Sequence, residues 1–213
     1  MVIIKNFSKF LVFAALQFGS FLLAPLLPVA AGWENGFIEN VQTLVLFAGG
    51  IWALWCWHAG DGSRIRAFWL TIASIWFVLA VKELGWGVVF MQPLSHSDEF
   101  GPGFSSSIQL WYKPAVMAGL ACIAVAWAWV FVATRQSLTV LELMKRKALP
   151  ITELLIVVLL MMASAAAEGN MGFSTGLREG TAQVYEELVE LLAYLALLLA
   201  QYRIMRGIMN RAR

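Results

Sequence analysis

The sequence predicts an all-α membrane protein, a polytopic helix bundle of about six transmembrane helices with 1–213 as a single transmembrane domain, and three observations carry that expectation. Of 213 residues, 61% are hydrophobic and 13% charged, far more apolar than a soluble domain of this length. Six apolar stretches, near 7–31, 37–59, 65–91, 114–134, 151–168 and 181–202, are long enough to cross a hydrocarbon core of about 30 Å at about 1.5 Å per residue. With six spans drawn, Lys5, Lys9, Arg64, Arg66, Arg135, Lys145, Arg146, Lys147, Arg203, Arg206, Arg211 and Arg213 share one side. They are 12 of the 15 basic residues and make both termini cytoplasmic by the positive-inside rule.

The first span has a basic start, an apolar middle and a small-residue end, Val29-Ala30-Ala31, which imitates a signal peptide; we read it as a retained span bent by Pro25 and Pro28. In the second, Glu39, Gln42 and Thr43 share a face with Gly49, Gly50 and Ala53, a polar end running into a small-residue seam where another helix can come close. Two readings of Glu39 stand side by side: a pocket carboxylate, or an acid placed in the first helical turn by the helix dipole. Most of the tryptophans map to the two interfaces as an aromatic belt, with Trp52 and Trp76 deeper as packing.

The third span carries Lys82-Glu83 about two turns short of its outer end, before Gly85-Trp86-Gly87. Neighbouring helical residues point about 100° apart, so the two are not expected to neutralise each other by stacking; one of them is expected to reach a partner on another helix, with Lys82 as counter-ion for the acids. A structural ion pair is the competing reading. The loop 92–113, rich in Gly, Pro and Ser, is expected to be irregular and to fold over the outer face as a lid. Pro114 suits the first turn of the fourth span. Residues 135–149 read as a helix on the inner surface, in which Glu142 pairs with Lys145 or Arg146 at helical spacing. The fifth span ends in small residues with Ser164 and Glu168 one turn apart. After Gly169-Asn170, Gly172, Gly176 and Gly180 lie among Ser174, Thr175, Arg178 and Glu179 and read as a mobile outer loop.

The unusual chemistry sits at the start of the last span, where Gln183, Glu187, Glu190, Tyr194 and Gln201 share one helical face with Glu186 beside them. Ten of the 13 acids fall in the outer half, and ionisable residues inside a span mark functional sites by default. Glu39, Lys82, Glu83, Glu168, Glu186, Glu187, Glu190 and Tyr194 together form the candidate pocket. The catalytic residues are not readable; a metal, if one is held, would fall to Glu83, Glu187 and Glu190, and all-oxygen ligation favours a hard divalent or monovalent cation.

Other chemistries are disfavoured. His58 and His96 fall on opposite sides of the membrane, Cys56 and Cys122 lie in separate spans without a CxxC, and no phosphate loop, GxSxG or HExxH is present. The nine methionines show no clustered spacing that would suit copper. The run Glu34-Asn35-Gly36-Phe37-Ile38-Glu39, then Lys82-Glu83-Leu84-Gly85-Trp86, then Tyr112-Lys113, resembles uncharacterised bacterial multi-pass inner-membrane proteins with E-D-G-x-x-E and R-E-x-D-W/H stretches. Asn35 stands here for the acid and Lys82 for the arginine. The resemblance implies a bacterial inner-membrane location and supplies no activity.

Three function classes follow. The first is cation- or proton-linked transport or binding at an outer acidic pocket. The second is a non-catalytic subunit, assembly factor or sensor whose acids pair between helices. The third is an outer-leaflet enzyme on a lipid or lipid-linked substrate, using carboxylates or a metal. Expected partners are membrane lipid and a second copy or another membrane protein; nucleic acid is not expected.

Overall fold

The structure, a computed structural model, describes residues 2–169, 172 and 176–209, with side chains from Phe7 to Ile208. Asn170, Ser174, Thr175, Arg211, Arg213 and the Lys5 side chain, named above, lie outside the described residues. The chain is helical throughout: α1 (Val2–Leu23), α2 (Phe37–Ala59), α3 (Ser63–Glu83), the single turn α4 (Ser106–Gln109), α5 (Lys113–Ala133), α6 (Gln136–Lys145), α7 (Ile151–Ala167) and α8 (Glu179–Met209). One small antiparallel hairpin, β1 (Ser95–Ser97) with β2 (Gly101–Gly103), interrupts the helices. Among the described residues, five helical stretches are long and apolar enough to cross a membrane, which makes this a multi-pass membrane protein. The shorter apolar helix α7 has 17 residues, about 25 Å of rise.

By packing, the chain forms two units. The first comprises 1–42, 93–103 and 150–201; the second comprises 43–92, 104–149 and 202–213. In the first, α1 packs on α7. Its core is built from Phe13, Ile38, Ile156, Leu160, Val184, Tyr185, Val189, Ala193 and Ala196. The buried alanines of α8 hold no bulk away from its axis, so neighbours close on the backbone. Gly32 works the same way: a Cβ there would lie 2.7 Å from the Val184 Cα.

In the second unit the small-residue seam of α2 meets α3. A Cβ at Gly49 would lie 2.6 Å from the Trp76 indole, and one at Gly50 would lie 2.8 Å from the Phe77 ring. Trp127 of α5 donates its indole N–H to Ser74 Oγ of α3 at 2.8 Å. Helix α5 otherwise buries nothing, as befits a helix solvated by acyl chains. Helix α6 buries Gln136, Thr139 and Leu143 and exposes Leu138, Leu141 and Met144. Glu142 pairs with Arg64 at 2.8 Å rather than with Lys145 or Arg146, because α6 lies against α3 and brings a basic side chain from the neighbouring helix within reach.

The third span is shorter than the apolar run suggests. It stops at Glu83, and Gly85, Trp86 and Gly87 take left-handed φ values of 54°, 62° and 98°. The run 85–90 becomes a 3-10 segment, so Lys82-Glu83 lie in the last turn of α3 and not two turns inside it.

Two glycines test this packing. Gly49→Ala is expected to cost about 1–3 kcal/mol, because the buried Trp76 ring has no room to yield. Gly119→Ala on α5 meets nothing within 4 Å and is expected to be neutral or to stabilise by up to about 1 kcal/mol. Thermal unfolding of both variants in one detergent checks the pair; equal losses would contradict the packing described.

Candidate functional site

The start of α8 is the richest polar surface of the first unit. Helical spacing puts Glu179, Gln183, Glu186 and Glu187 on neighbouring turns, and all four line a hollow of about 760 Å³ together with Glu168, Ala167 and Leu177. The hollow is open on one side, and Glu168 and Glu179 are exposed at its rim. Phe100, at the tip of the β hairpin, completes the lining.

The hairpin is held in place by contacts that the sequence did not advertise. Trp33 donates its indole N–H to the Glu99 carbonyl at 3.2 Å and meets the His96 ring edge-on at 5.7 Å. Gly101 lies flat against the same indole, where any side chain would collide. A Cβ at Gly180 would lie 2.7 Å from Val29 and 3.3 Å from the Glu99 carbonyl. Gly180 is therefore a packing position inside α8, not part of an irregular loop, and residues 95–103 are an ordered hairpin. Three-residue strands of Ser, His, Gly and Pro carry no apolar alternation, which is why sequence pattern missed them.

Two of the carboxylates are met by neutral donors on other helices. Gln42 of α2, fully buried, donates its Nε2 to Glu187 Oε2 at 2.9 Å and to the Glu187 carbonyl at 2.7 Å. Ser164 of α7, also buried, donates its hydroxyl to Glu190 Oε1 at 2.8 Å. Tyr194 is buried one turn further along α8. The amide oxygens of Gln42 and Gln183 are enclosed and accept no hydrogen bond from the described residues. An unmatched buried acceptor costs about 1–3 kcal/mol.

The remaining predicted residues are placed elsewhere. Glu39 caps its own helix: its carboxylate accepts the backbone N–H of Asn35, while Asn40 Nδ2 donates to the Gly36 carbonyl at 2.7 Å. That is the first-turn reading, in the manner of a capping box. Lys82 and Glu83 belong to the second unit and pair with each other at 3.0 Å, contrary to the expectation that they would not neutralise each other. Their side chains diverge at Cβ, but the flexible lysine stem, half-exposed, folds back onto the buried carboxylate. Nearby, the Tyr112 hydroxyl donates to the Trp86 carbonyl at 2.5 Å and Lys113 Nζ lies 5.6 Å from the Trp86 ring centre. The Lys82–Trp86 and Tyr112-Lys113 segments thus meet in one unit. Of the suggested metal set, Glu83 lies in the second unit and Glu187 and Glu190 in the first. Among the described residues no three His, Cys, Asp or Glu side chains converge as a metal-holding group.

Compared with protein-family models, with curated proteins and with solved structures, the chain matches none. Function is therefore read from geometry.

One contributor, Glu179, escaped the sequence reading, whereas Glu153 was legible as the acid toward the cytoplasmic side. Glu179 repeats the polar face of α8 one turn earlier, and the glycine run around it hid that periodicity. Glu153, at the far end of α7, is 1% exposed and paired with Lys9 of α1. Removing the donor to Glu187 tests the site directly. Gln42→Leu is expected to cost about 1.5–3 kcal/mol, the range for a hydrogen bond to a charged group. In the background of Glu187→Gln the loss should shrink, with a coupling of at least about 0.5 kcal/mol. Unfolding of the four members of the cycle measures it, and strict additivity would refute the contact.

Proposed function

We propose that this membrane protein binds cations, protons included, in the hollow at the start of α8 and uses that binding in transport. The observation that carries the reading is the chemistry of the lining. Four carboxylates, Glu168, Glu179, Glu186 and Glu187, and the amide of Gln183 line it, and among the described residues no basic side chain does. Carboxylates that share one hollow repel one another, and a cation relieves the repulsion. Oxygen ligands of this kind suit sodium, calcium or magnesium, and the enclosed amide oxygen of Gln183, in the lining, offers a neutral ligand of the sort such ions take alongside carboxylates.

The Lys and Arg distribution and the resemblance noted above support a bacterial inner membrane with both termini in the cytoplasm. In that orientation the hollow opens outward. Glu190 and Ser164, one turn deeper, would receive what the hollow admits.

Melting of the detergent-solubilised protein, titrated at constant ionic strength with sodium, calcium and magnesium and separately with pH, tests the proposal. A site occupied at a hundred times its dissociation constant stabilises by about 2.7 kcal/mol, so one ligand should raise the melting temperature by several degrees. The double variant Glu186→Gln/Glu187→Gln should lose that response. A wild type that responds to none of the ions, and to pH no differently from the double variant, would sink the reading.

A further inference from the structure

We infer that the second unit holds an anionic phospholipid, with an acyl chain in a cavity between the α2–α3 turn and the end of α8 and its phosphate against Arg66. The cavity measures about 600 Å³, within the span of about 300–1,000 Å³ that ligand sites occupy. Trp55, Ile65, Trp69, Met205 and Ile208 wall it, so its body is apolar, and the turn Gly60-Asp61-Gly62 forms its polar end. That layout takes a molecule that is apolar along most of its length and polar at one end. The level of the cavity selects a lipid. Trp55, one turn before the end of α2, is 54% exposed, as an interfacial tryptophan is. Helix α8 has 31 residues, a rise of roughly 46 Å, so its polar ends reach past a hydrocarbon core of about 30 Å to the headgroups.

The polar end of the cavity suits an anion. Arg66 donates its Nε–H to the Gly60 carbonyl at 3.0 Å, which holds the guanidinium at the rim. Its two terminal nitrogens meet no acceptor among the described residues, and a guanidinium fork left open in this way takes two oxygens of one phosphate. Arg206, next to the lining residue Met205, lies 5.6 Å from the Tyr202 ring centre and pairs with no carboxylate among the described residues. Tyr202 in turn meets Trp52 at 6.1 Å, which keeps the end of α8 beside α2. Arg64, by contrast, is neutralised by Glu142. Helix α3 starts at the same rim with Gly62 as its N-cap and no side chain on its first N–H groups, which adds partial positive charge there. A Cβ at Gly62 would meet nothing within 4 Å, so this backbone is open to a headgroup. One acid, Asp61, stands against these groups, and the hydroxyls of a glycerol headgroup would give it hydrogen-bond donors.

The test is native mass spectrometry of the full chain in detergent, stripped of lipid and then given phosphatidylglycerol, phosphatidylcholine with the same chains, or glycerol phosphate. One phosphatidylglycerol should be held at least about tenfold more tightly than phosphatidylcholine, and glycerol phosphate, which has no chains, should not be retained. Arg66→Gln should weaken phosphatidylglycerol binding about tenfold, the worth of a hydrogen bond to a charged group. Arg135→Gln removes a basic residue outside the lining and should leave binding within about twofold. Ala59→Phe puts a ring into the cavity from its own lining and should weaken both lipids. Ala59 and Arg66 are exposed, so neither change disturbs the core. Equal affinity for the two lipids, or equal effects of Arg66→Gln and Arg135→Gln, overturns the inference. So does a preference for phosphatidylglycerol that survives Ala59→Phe, since the lipid then lies elsewhere. Retention of glycerol phosphate without chains, or a dimer that Ala59→Phe dissociates, also overturns it, by giving the site to a free anion or to a second copy.

Discussion

A charge carried on an apolar helix has to be met by a donor, and the first unit is arranged around that requirement. Three of its carboxylates are met from three different helices: Glu187 by Gln42 of α2, Glu190 by Ser164 of α7 and Glu153 by Lys9 of α1. A carboxylate left unmet at depth costs several kcal/mol. A made hydrogen bond contributes about 1 kcal/mol net. The asymmetry means that these contacts do little to drive assembly and much to forbid any register in which they are broken. The bulk of the cohesion comes from apolar packing, in which Ala193, Ala196 and Gly32 let backbones close on one another.

The second unit solves a different problem. Its helices carry few buried charges, and the glycine seam of α2 is filled by the rings of Trp76 and Phe77. Aromatic rings seated on glycines give a large contact area with little side-chain entropy to lose, which suits packing between helices that no hydrophobic effect drives together within lipid. Its ion pairs, Arg64 with Glu142 and Lys82 with Glu83, each keep at least one partner partly exposed, where a charge is cheaply solvated. A buried unmet charge is thus avoided in both units, by pairing across helices in the first and by placing charges near helix ends in the second.

How much of this was legible follows from which forces leave a periodic trace. The all-α class, the long apolar helices and the polar face of α8 were readable, because burial repeats every 3.6 residues along a helix. Glu39 was readable as a choice between two roles, and helix-start chemistry decided it. The end of α3 left a trace in Gly85-Trp86-Gly87, but apolar residues beyond it imitated a longer span. The hairpin at 95–103, the partner of Glu142 and the mutual pairing of Lys82 and Glu83 depend on which elements adjoin, and hydrophobic pattern carries no record of adjacency. Glu179 and Gly180 were obscured for a local reason: three glycines at regular spacing read as a loop, although one of them sits inside a helix to let the hairpin approach.

The Lys9–Glu153 pair joins α1 to α7 with its carboxylate buried. Replacing a buried ion pair with apolar side chains of similar volume is commonly neutral or stabilising, since desolvation offsets the attraction. Such a pair is therefore poor evidence of a stability device, the more so in a helix interface already filled by Ile156 and Leu160. The same holds for Tyr194 and Gln201, which occupy interior positions that leucine would fill at lower cost. One stray polar group can be dismissed as tolerated. Polar groups at Glu190, Tyr194 and Gln201 together fix which side of α8 turns inward, because each costs free energy wherever it is left unmet.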